Sequence, residues 1–453
     1  MIILRVVSNG FRNLALPINF PICKTIDYFR LNDCLLCLSS KEEFMPQIAA
    51  AGRQGNDVRS DCWIKLELRE AGGIEINLSS KVKLMYGKSI EKLMRDELAF
   101  FGINNARVEI EDQGALPFVL MARLETAVKR CLPDLKPEYV PAIRECCHYP
   151  THRERFRRSR LYLPGTEPKF IINAGLHQPD GIILDLEDSV PPAEKDAAAI
   201  LVRNALCQVD FYGAERMVRI NQLPRGLADL PFIVPYNVHV ILIPKCESAD
   251  QVKQVEAATE KLLEQASIHH PVYFMPIVES ALGAVKAFEM ATASKNNIAL
   301  TIGLEDYTAD LGTQRTPEGR ESFWARQQVV NAARAAGIQP IDTVFSDVTD
   351  MEGLRQSVLE AKSLGFDGKG CIHPRQVRVI NEAFVPEADA LERAQKIVLA
   401  FDDAQAKGLG VIALGSKMID LPVVKRALRT VELAILSGIL EPDWREGGAE
   451  NAE

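Results

Sequence analysis

Three residues of this chain, each closing a different short apolar run, could together perform metal-assisted chemistry on a carboxylic acid. Glu279 closes VYFMPIVES and Asp306 closes IALTIGLED. On neighbouring strands about 4.8 Å apart, these carboxylates would converge on one hard cation. Magnesium suits two carboxylates completed by water and substrate oxygens, and as a Lewis acid it polarises hydroxyl and carboxylate oxygens. The competing reading is a pair of helix-capping or salt-bridging acids. Arg219 closes MVRIN, and its planar fork matches a substrate carboxylate. A buried structural ion pair with Glu187 or Asp188 is the alternative there. Asp185, Glu187 and Asp188 crowd the end of GIILDLEDS, where side chains 185 and 187 share a face and 188 points elsewhere. They are expected to orient Arg219 and metal-bound water rather than to bind the metal directly.

Such residues need a frame that gathers strand ends. Eight apolar runs lie between positions 157 and 373: RSRLYLPG, GIILDLEDS, MVRIN, VHVILIPK, VYFMPIVES, IALTIGLED, IDTVFSD and GKGCIHP. Segments of helical periodicity such as ADQVKQVEAATEKLLEQ and WARQQVVNAARAAG separate them. The runs are continuously apolar, as strands buried on both faces are. A (β/α)8 TIM barrel over 157–385 is the natural arrangement, with catalytic groups at the carboxyl ends of its strands. A doubly wound open sheet also puts ligands at strand ends and is the alternative fold. His373, in CIHPRQ at a proline turn, reads as a hydrogen-bonded structural histidine and is left out of the catalytic set.

The 453 residues suggest two or three domains. A net charge of −8, with no basic stripe interleaved with aromatics, argues against nucleic-acid binding. The basic run THRERFRRSR reads as a solvated edge. No apolar run approaches the ~20 residues of a membrane helix. Ten cysteines in no regular framework point to reduced thiols and a cytoplasmic setting, and the lone Cys34/Cys37 pair reads as neither metal nor redox site. Residues 1–44 form a leader of unknown status without signal-peptide features, and Met45 is a candidate natural start.

Residues 45–131 form a small α+β unit. WIKLELRE and GGIEINLSS alternate around Gly72-Gly73, which predicts an antiparallel hairpin. KSIEKLMRDELAFFG predicts a helix closed by Gly102, RVEIEDQGALPFVL a second hairpin, and MARLETAVKRC a second helix. With no catalytic cluster, this unit suits a carrier. Four prolines in 132–156 predict an extended spacer able to present it to a distant site. A C-terminal helical segment, 386–447, follows the barrel.

The stretches RSRLYLPGTEPKFI, DGIILDLEDSV, VRIN, PKCES, PIVESALG, GLEDYTADLGTQRTPEG, FDGKGCIHPRQ and GSKMIDLPVVKRA resemble the citrate lyase beta subunit and its citryl-CoA lyase relatives, in the HpcH/HpaI aldolase superfamily. SDCWIKLEL, GGIEINLSSKVKLMYG, FGINNARVEIEDQGALPF and ARLETAVKR resemble the citrate lyase gamma subunit, an acyl carrier protein. The resemblance implies Mg2+-dependent reverse Claisen cleavage of a citryl thioester into oxaloacetate and an acetyl thioester. Glu279 and Asp306 would be metal ligands, and Arg219 would bind the keto-acid end. It further implies that Asp420 reaches into a neighbouring subunit's site as a proton-transfer residue, hence a homo-oligomer with shared active sites. From the residues alone, Asp420 is a helix N-cap before LPVVKRAL. Lys169, past the Pro164-Gly165 turn, would meet a phosphate of the coenzyme-like arm or stand solvated.

The carrier family attaches a phosphoribosyl-dephospho-coenzyme A arm to a serine in a stretch like L-E-S-(S/G)-D. This chain reads GNDVRSD, and aligning Asp61 with the family aspartate puts Arg59 at the serine position and Ser60 one place off. Ser60, the only hydroxyl of that loop, is the expected attachment site. A citrate lyase alpha (transferase) subunit is the expected partner. Two alternatives stand: a lyase using free coenzyme A thioesters such as citramalyl-CoA or malyl-CoA beside a vestigial carrier, and a non-catalytic carrier scaffold.

Overall fold

In the computed structural model of the chain, residues 47–406, 412–414 and 417–447 are described. The leader, Met45 and the Cys34/Cys37 pair lie outside them.

The apolar runs become eight parallel strands: β5 (Ser159–Pro164), β6 (Gly181–Asp185), β7 (Glu215–Arg219), β8 (Val240–Ile243), β9 (Tyr273–Val278), β10 (Ala299–Ile302), β11 (Gln339–Asp342) and β12 (Gly368–Cys371). They close in chain order, with β12 pairing back onto β5. This is the expected TIM barrel rather than an open sheet. Inward side chains, among them Ile183, Met217, Val240, Leu242, Met275 and Ile341, fill its interior as a packed core. A larger apolar layer lies between the strands and the surrounding helices. The seventh strand ends earlier than its run: Asp342 closes β11, and Asp347 lies in the following loop.

The small unit precedes these as β1 (Ile48–Gly52), β2 (Cys62–Leu68), β3 (Ile74–Ser80), α1 (Lys83–Phe100), β4 (Ala106–Asp112) and α2 (Pro117–Cys131). Its sheet order is β1-β2-β4-β3. This corrects both hairpins. Gly72-Gly73 does turn the chain, with φ of 106° and 74°, but β2 and β3 are not partners. Instead β4 runs between them, antiparallel to β2 and parallel to β3, because α1 carries the chain over the sheet as a parallel crossover. The second expected hairpin is β4 followed directly by α2, whose Pro117 starts the helix where no backbone N–H is needed. α2 is buried nearly all round, since it lies between the small sheet and barrel helix α3 (Lys195–Gln208).

That burial also replaces the expected extended spacer. Residues 132–156 run hydrogen-bonded along the barrel: the Arg144 N–H donates to Cys207 O at 2.9 Å and the Tyr149 hydroxyl to Ala214 O at 2.7 Å. Buried Arg203 of α3 binds Glu125 of α2 through two bonds, 3.0 and 2.6 Å, and reaches Glu138 at 3.1 Å. The described residues accordingly belong to one compact unit. At the other end, helices Ala388–Ala406 and Leu421–Leu436 pack together around Ile397, Val398, Val424 and Val431. No helix among the described residues is long and apolar enough to cross a membrane.

Candidate active site

The carboxyl ends of the barrel strands surround a cavity of about 470 Å³ whose lining includes Asp185, Asp188, Arg219, Glu279 and Asp306. The expected metal pair and the expected arginine thus share one mouth. Glu279, at the end of β9, is 6% exposed. Its Oε2 accepts the Lys245 backbone N–H at 2.8 Å. Burial pushes its carboxyl up to about 7, and the nearby Glu187 and Asp306 carboxylates add to the rise. Gly303 permits this packing, since a Cβ there would fall 2.6 Å from Glu279 Oε1. Asp306 is more open, in the first turn of the helix Leu304–Asp310.

Arg219 closes β7 and is held from two sides. Asp185 accepts hydrogen bonds from its Nε and Nη2 at 2.7 and 2.8 Å, and Glu187 forms an ion pair with Nη1 at 3.0 Å. Burial alone would lower the guanidinium pKa, but the Asp185 bonds override it and raise it. The same pairing holds the Asp185 carboxyl below its ordinary value despite burial. Asp185 also accepts the Glu187 and Ser189 N–H groups, so it stiffens the turn that carries all three acids. The Arg219 guanidinium lies 5.3 Å over the Tyr162 ring, which lines the same cavity.

Carboxylates outnumber cations around this mouth, and a buried carboxyl repelled by two others is relieved by a dication. Among the described residues no trio of His, Cys, Asp or Glu is gathered for a metal. Two carboxylates, Glu279 and Asp306, would leave a hard cation coordination positions for water and substrate oxygens, the pattern magnesium favours.

Residues 158–374 match the family described as HpcH/HpaI aldolase/citrate lyase. A citrate lyase subunit beta from Leuconostoc mesenteroides subsp. cremoris is 39% identical over 295 residues, covering 64% of this chain and 98% of that protein. The chain belongs to this family. As a member of it, the chain is a carbon–carbon lyase. A mitochondrial citramalyl-CoA lyase from Mus musculus is 30% identical, covering 67% of this chain and 94% of that one. The crystal structure of protein CitE from Mycobacterium tuberculosis, in complex with magnesium, acetoacetate and coenzyme A, aligns with a TM-score of 0.53 at 29% identity, covering 62% of this chain and 99% of that chain. Residues 51–131 match an acyl-carrier (ACP) family described as malonate decarboxylase delta subunit, which supports a carrier-like unit fused to the lyase barrel.

Four of the site residues expected from sequence fall outside the cavity lining. Glu187 is ion-paired with Arg219 and accepts hydrogen bonds from Lys245 and Gln222. Lys169 stands on a short helix, 3.4 Å from Glu167 and over the Phe170 ring. Asp420 is exposed at the start of Leu421–Leu436, where its side chain accepts the Val423 N–H. Ser60, with φ of 55°, is half-buried in the small unit, and its N–H donates to Gln113 O. The next residue, Asp61, is clamped by buried Arg123, which also donates to Thr166 O at 3.1 Å. Arg53 of the same loop pairs with Glu167. The Ser60 loop is therefore tied to the segment that follows β5, beside Pro164 of the cavity wall. His373 caps the helix Pro374–Phe384 together with Gln376, the structural role expected for it.

Two further residues of this mouth carry no assignment from sequence. Lys245, held at φ 46° just after β8, places Nζ 2.9 Å from Glu187, 3.2 Å from Asp188 and 3.6 Å from Asp306. Its position at a strand end, in PKCES, was the available signal. Arg160 lines the cavity from within β5, with no strand-end position to mark it.

Proposed function

We propose that this chain cleaves a citryl thioester to oxaloacetate and an acetyl thioester, in a citrate lyase assembly. The observation that supports it is the single mouth shared by Glu279, Asp306 and Arg219, in a chain that covers nearly the full length of the citrate lyase beta relative. Magnesium, which the CitE structure contains, would be held here by Glu279 and Asp306, and when bound it supplies Lewis-acid polarisation of the substrate hydroxyl and carboxylate oxygens.

In the reaction the substrate's tertiary hydroxyl loses its proton and its C–O bond becomes the keto-acid carbonyl. The adjacent C–C bond breaks, and its electron pair passes to the thioester side as an enolate, which a proton then quenches to acetyl. Arg219, fixed by Asp185 and Glu187, orients the carboxylate beside the reacting carbon. Lys245 offsets the acids that surround it. Asp420 of a neighbouring subunit supplies the proton-transfer group, which makes the enzyme an oligomer with shared sites. Its exposure in its own chain supports that reading.

The carrier unit would bear a phosphoribosyl-dephospho-coenzyme A arm on Ser60. The Asp61–Arg123–Thr166 clamp supports this, since an arm leaving that loop starts beside the mouth without movement of the unit. Lys169 would meet a phosphate of the arm. A transferase alpha subunit and a cytoplasmic location complete the reading. The similarity to citramalyl-CoA lyase favours a second reading, in which a free coenzyme A thioester is the substrate and the carrier unit is vestigial.

Incubation with citryl-CoA and Mg2+, with oxaloacetate read by NADH-coupled reduction, tests the cleavage; absence of oxaloacetate refutes it. Intact mass and peptide mapping of natively purified protein test the arm. An unmodified Ser60 with full activity on free thioesters transfers the assignment to the second reading.

A further inference from the structure

Among the described residues, five buried or nearly buried arginines are paired with a carboxylate through two bonds: Arg123 with Asp61, Arg157 with Glu215, Arg203 with Glu125, Arg219 with Asp185 and Arg326 with Asp342. Buried Arg216 has instead the carbonyls of Asn237 and Tyr149. Arg160 has neither. It is 1% exposed, its Nη1 rests 3.0 Å from the thioether of Met275, its Nη2 lies 3.4 Å from the Thr301 hydroxyl, and its Nε has no partner. The charged groups around it are committed elsewhere: Asp342 to Lys369 and Arg326, and Arg157 to Glu215. A guanidinium stays protonated under such conditions, and a lone buried charge is strongly unfavourable. A fold has no structural use for that cost where a methionine would fill the same space. Arg160 and Tyr162, two residues apart on β5, both line the active-site cavity, so the guanidinium borders the space the substrate enters.

The three thioesters that this chemistry could accept differ in one substituent on the reacting carbon. It is a carboxymethyl group in citryl, a methyl in citramalyl and a hydrogen in malyl thioesters. We propose that Arg160 binds the carboxylate of the carboxymethyl arm and so selects a citryl thioester, while Arg219 holds the carboxylate on the reacting carbon. The assignment deepens the lyase reading and rests on it. A site built to pair a buried cation rejects an analogue lacking the anion more strongly than an apolar pocket rejects an extra methylene.

The test compares the two keto-acid fragments, oxaloacetate and pyruvate, by calorimetric titration of the Mg2+-loaded full-length protein and of Arg160→Met and Arg160→Gln. Wild type is expected to bind oxaloacetate at least about 30-fold tighter than pyruvate, as removing one member of a buried charged pair implies. Both variants should lose that preference while keeping their pyruvate affinity, which also reports that the site remains folded. An unchanged preference in either folded variant, or no preference in wild type, overturns the assignment. Thioester cleavage separates the two readings. Wild type that cleaves citryl-CoA without keto-acid preference keeps the lyase and loses the role of Arg160. Wild type that prefers oxaloacetate through Arg160 yet cleaves no thioester keeps the dicarboxylate site and loses the lyase.

Discussion

Replacing Glu279 with glutamine should stabilise the metal-free protein above pH 7 and abolish its stabilisation by magnesium. The folded carboxyl titrates at about 7 against an ordinary 4.5, because it is buried near other acids. The folded state therefore retains a proton that the unfolded chain releases, and metal-free stability falls as pH rises from about 4.5 to about 7, then levels off. The shift corresponds to about 3 kcal/mol at about 1.4 kcal/mol per unit. Glutamine keeps an oxygen for the Lys245 N–H and carries no charge, so the variant lacks this slope. The measurement is denaturant unfolding with EDTA at pH 5 and pH 8, taken as wild type minus variant, which cancels every other titrating group. The difference should move against wild type by about 2.5 kcal/mol between those values, because part of the shift is already spent below pH 5. Magnesium requires the ionised carboxylate, so its binding should release about 0.9 proton at pH 6 and about 0.1 at pH 8, read by calorimetry in buffers of different ionisation enthalpy. A pH-independent difference, or magnesium uptake at pH 6 with no proton release, would refute the argument.

Gly303→Ala should weaken magnesium binding at least tenfold, by isothermal titration, because the new methyl collides with the Glu279 carboxylate. Arg219→Met should abolish cleavage and also lower unfolding free energy by about 3–5 kcal/mol, since Asp185 is left buried and unpaired; adding Asp185→Asn should restore most of the stability and none of the activity. Asp420→Ala should cost only about 1 kcal/mol, the worth of a helix cap, while removing activity. Mixed oligomers of Asp420→Ala and Glu279→Gln chains should regain activity that neither has alone, and no regain would argue against sites shared between subunits.

The barrel is legible in the sequence because parallel strands buried on both faces must be continuously apolar, and because the residues at their ends break that run abruptly. Glu279 and Arg219 could be named for this reason. Arg160 could not, since nothing in RSRLYLP separates an inward guanidinium from one that snorkels to solvent; only the closed barrel turns it into the cavity. Lys245 ended its run visibly, but its contacts depend on a left-handed turn that a lysine rarely adopts. The strand pairing of the small α+β unit is not legible for a different reason. A Gly-Gly turn between two alternating strands reports a local reversal, and pairing is then decided by β4, which arrives after a helix and inserts between them. The helix expected over MARLETAVKRC forms, but it starts earlier, at Pro117, because the apolar turn PFVL is buried and reads equally well as strand.

The ion pairs across the α2–α3 interface change how a carrier would work here. A tethered carrier gains from a linker that matches the span to its target, and its reach is set by chain statistics. In this chain the Ser60 loop is held instead by Arg123, which joins Asp61 to the backbone of the first barrel loop, and by the Arg53–Glu167 pair. Arg130 adds two 2.7 Å bonds to Asp196 and one to Ala50 O, which fixes β1 against the barrel as well. Breaking so many bonds, several of them buried, costs far more than thermal motion supplies. Any sweep between sites must then come from a flexible arm on a fixed loop, so delivery depends on the arm's length and not on the proline-rich segment. Replacing the exposed Pro133 and Pro137 with alanine should therefore leave turnover unchanged, whereas Arg123→Met, which frees the loop, should slow it without altering the chemistry of free thioesters.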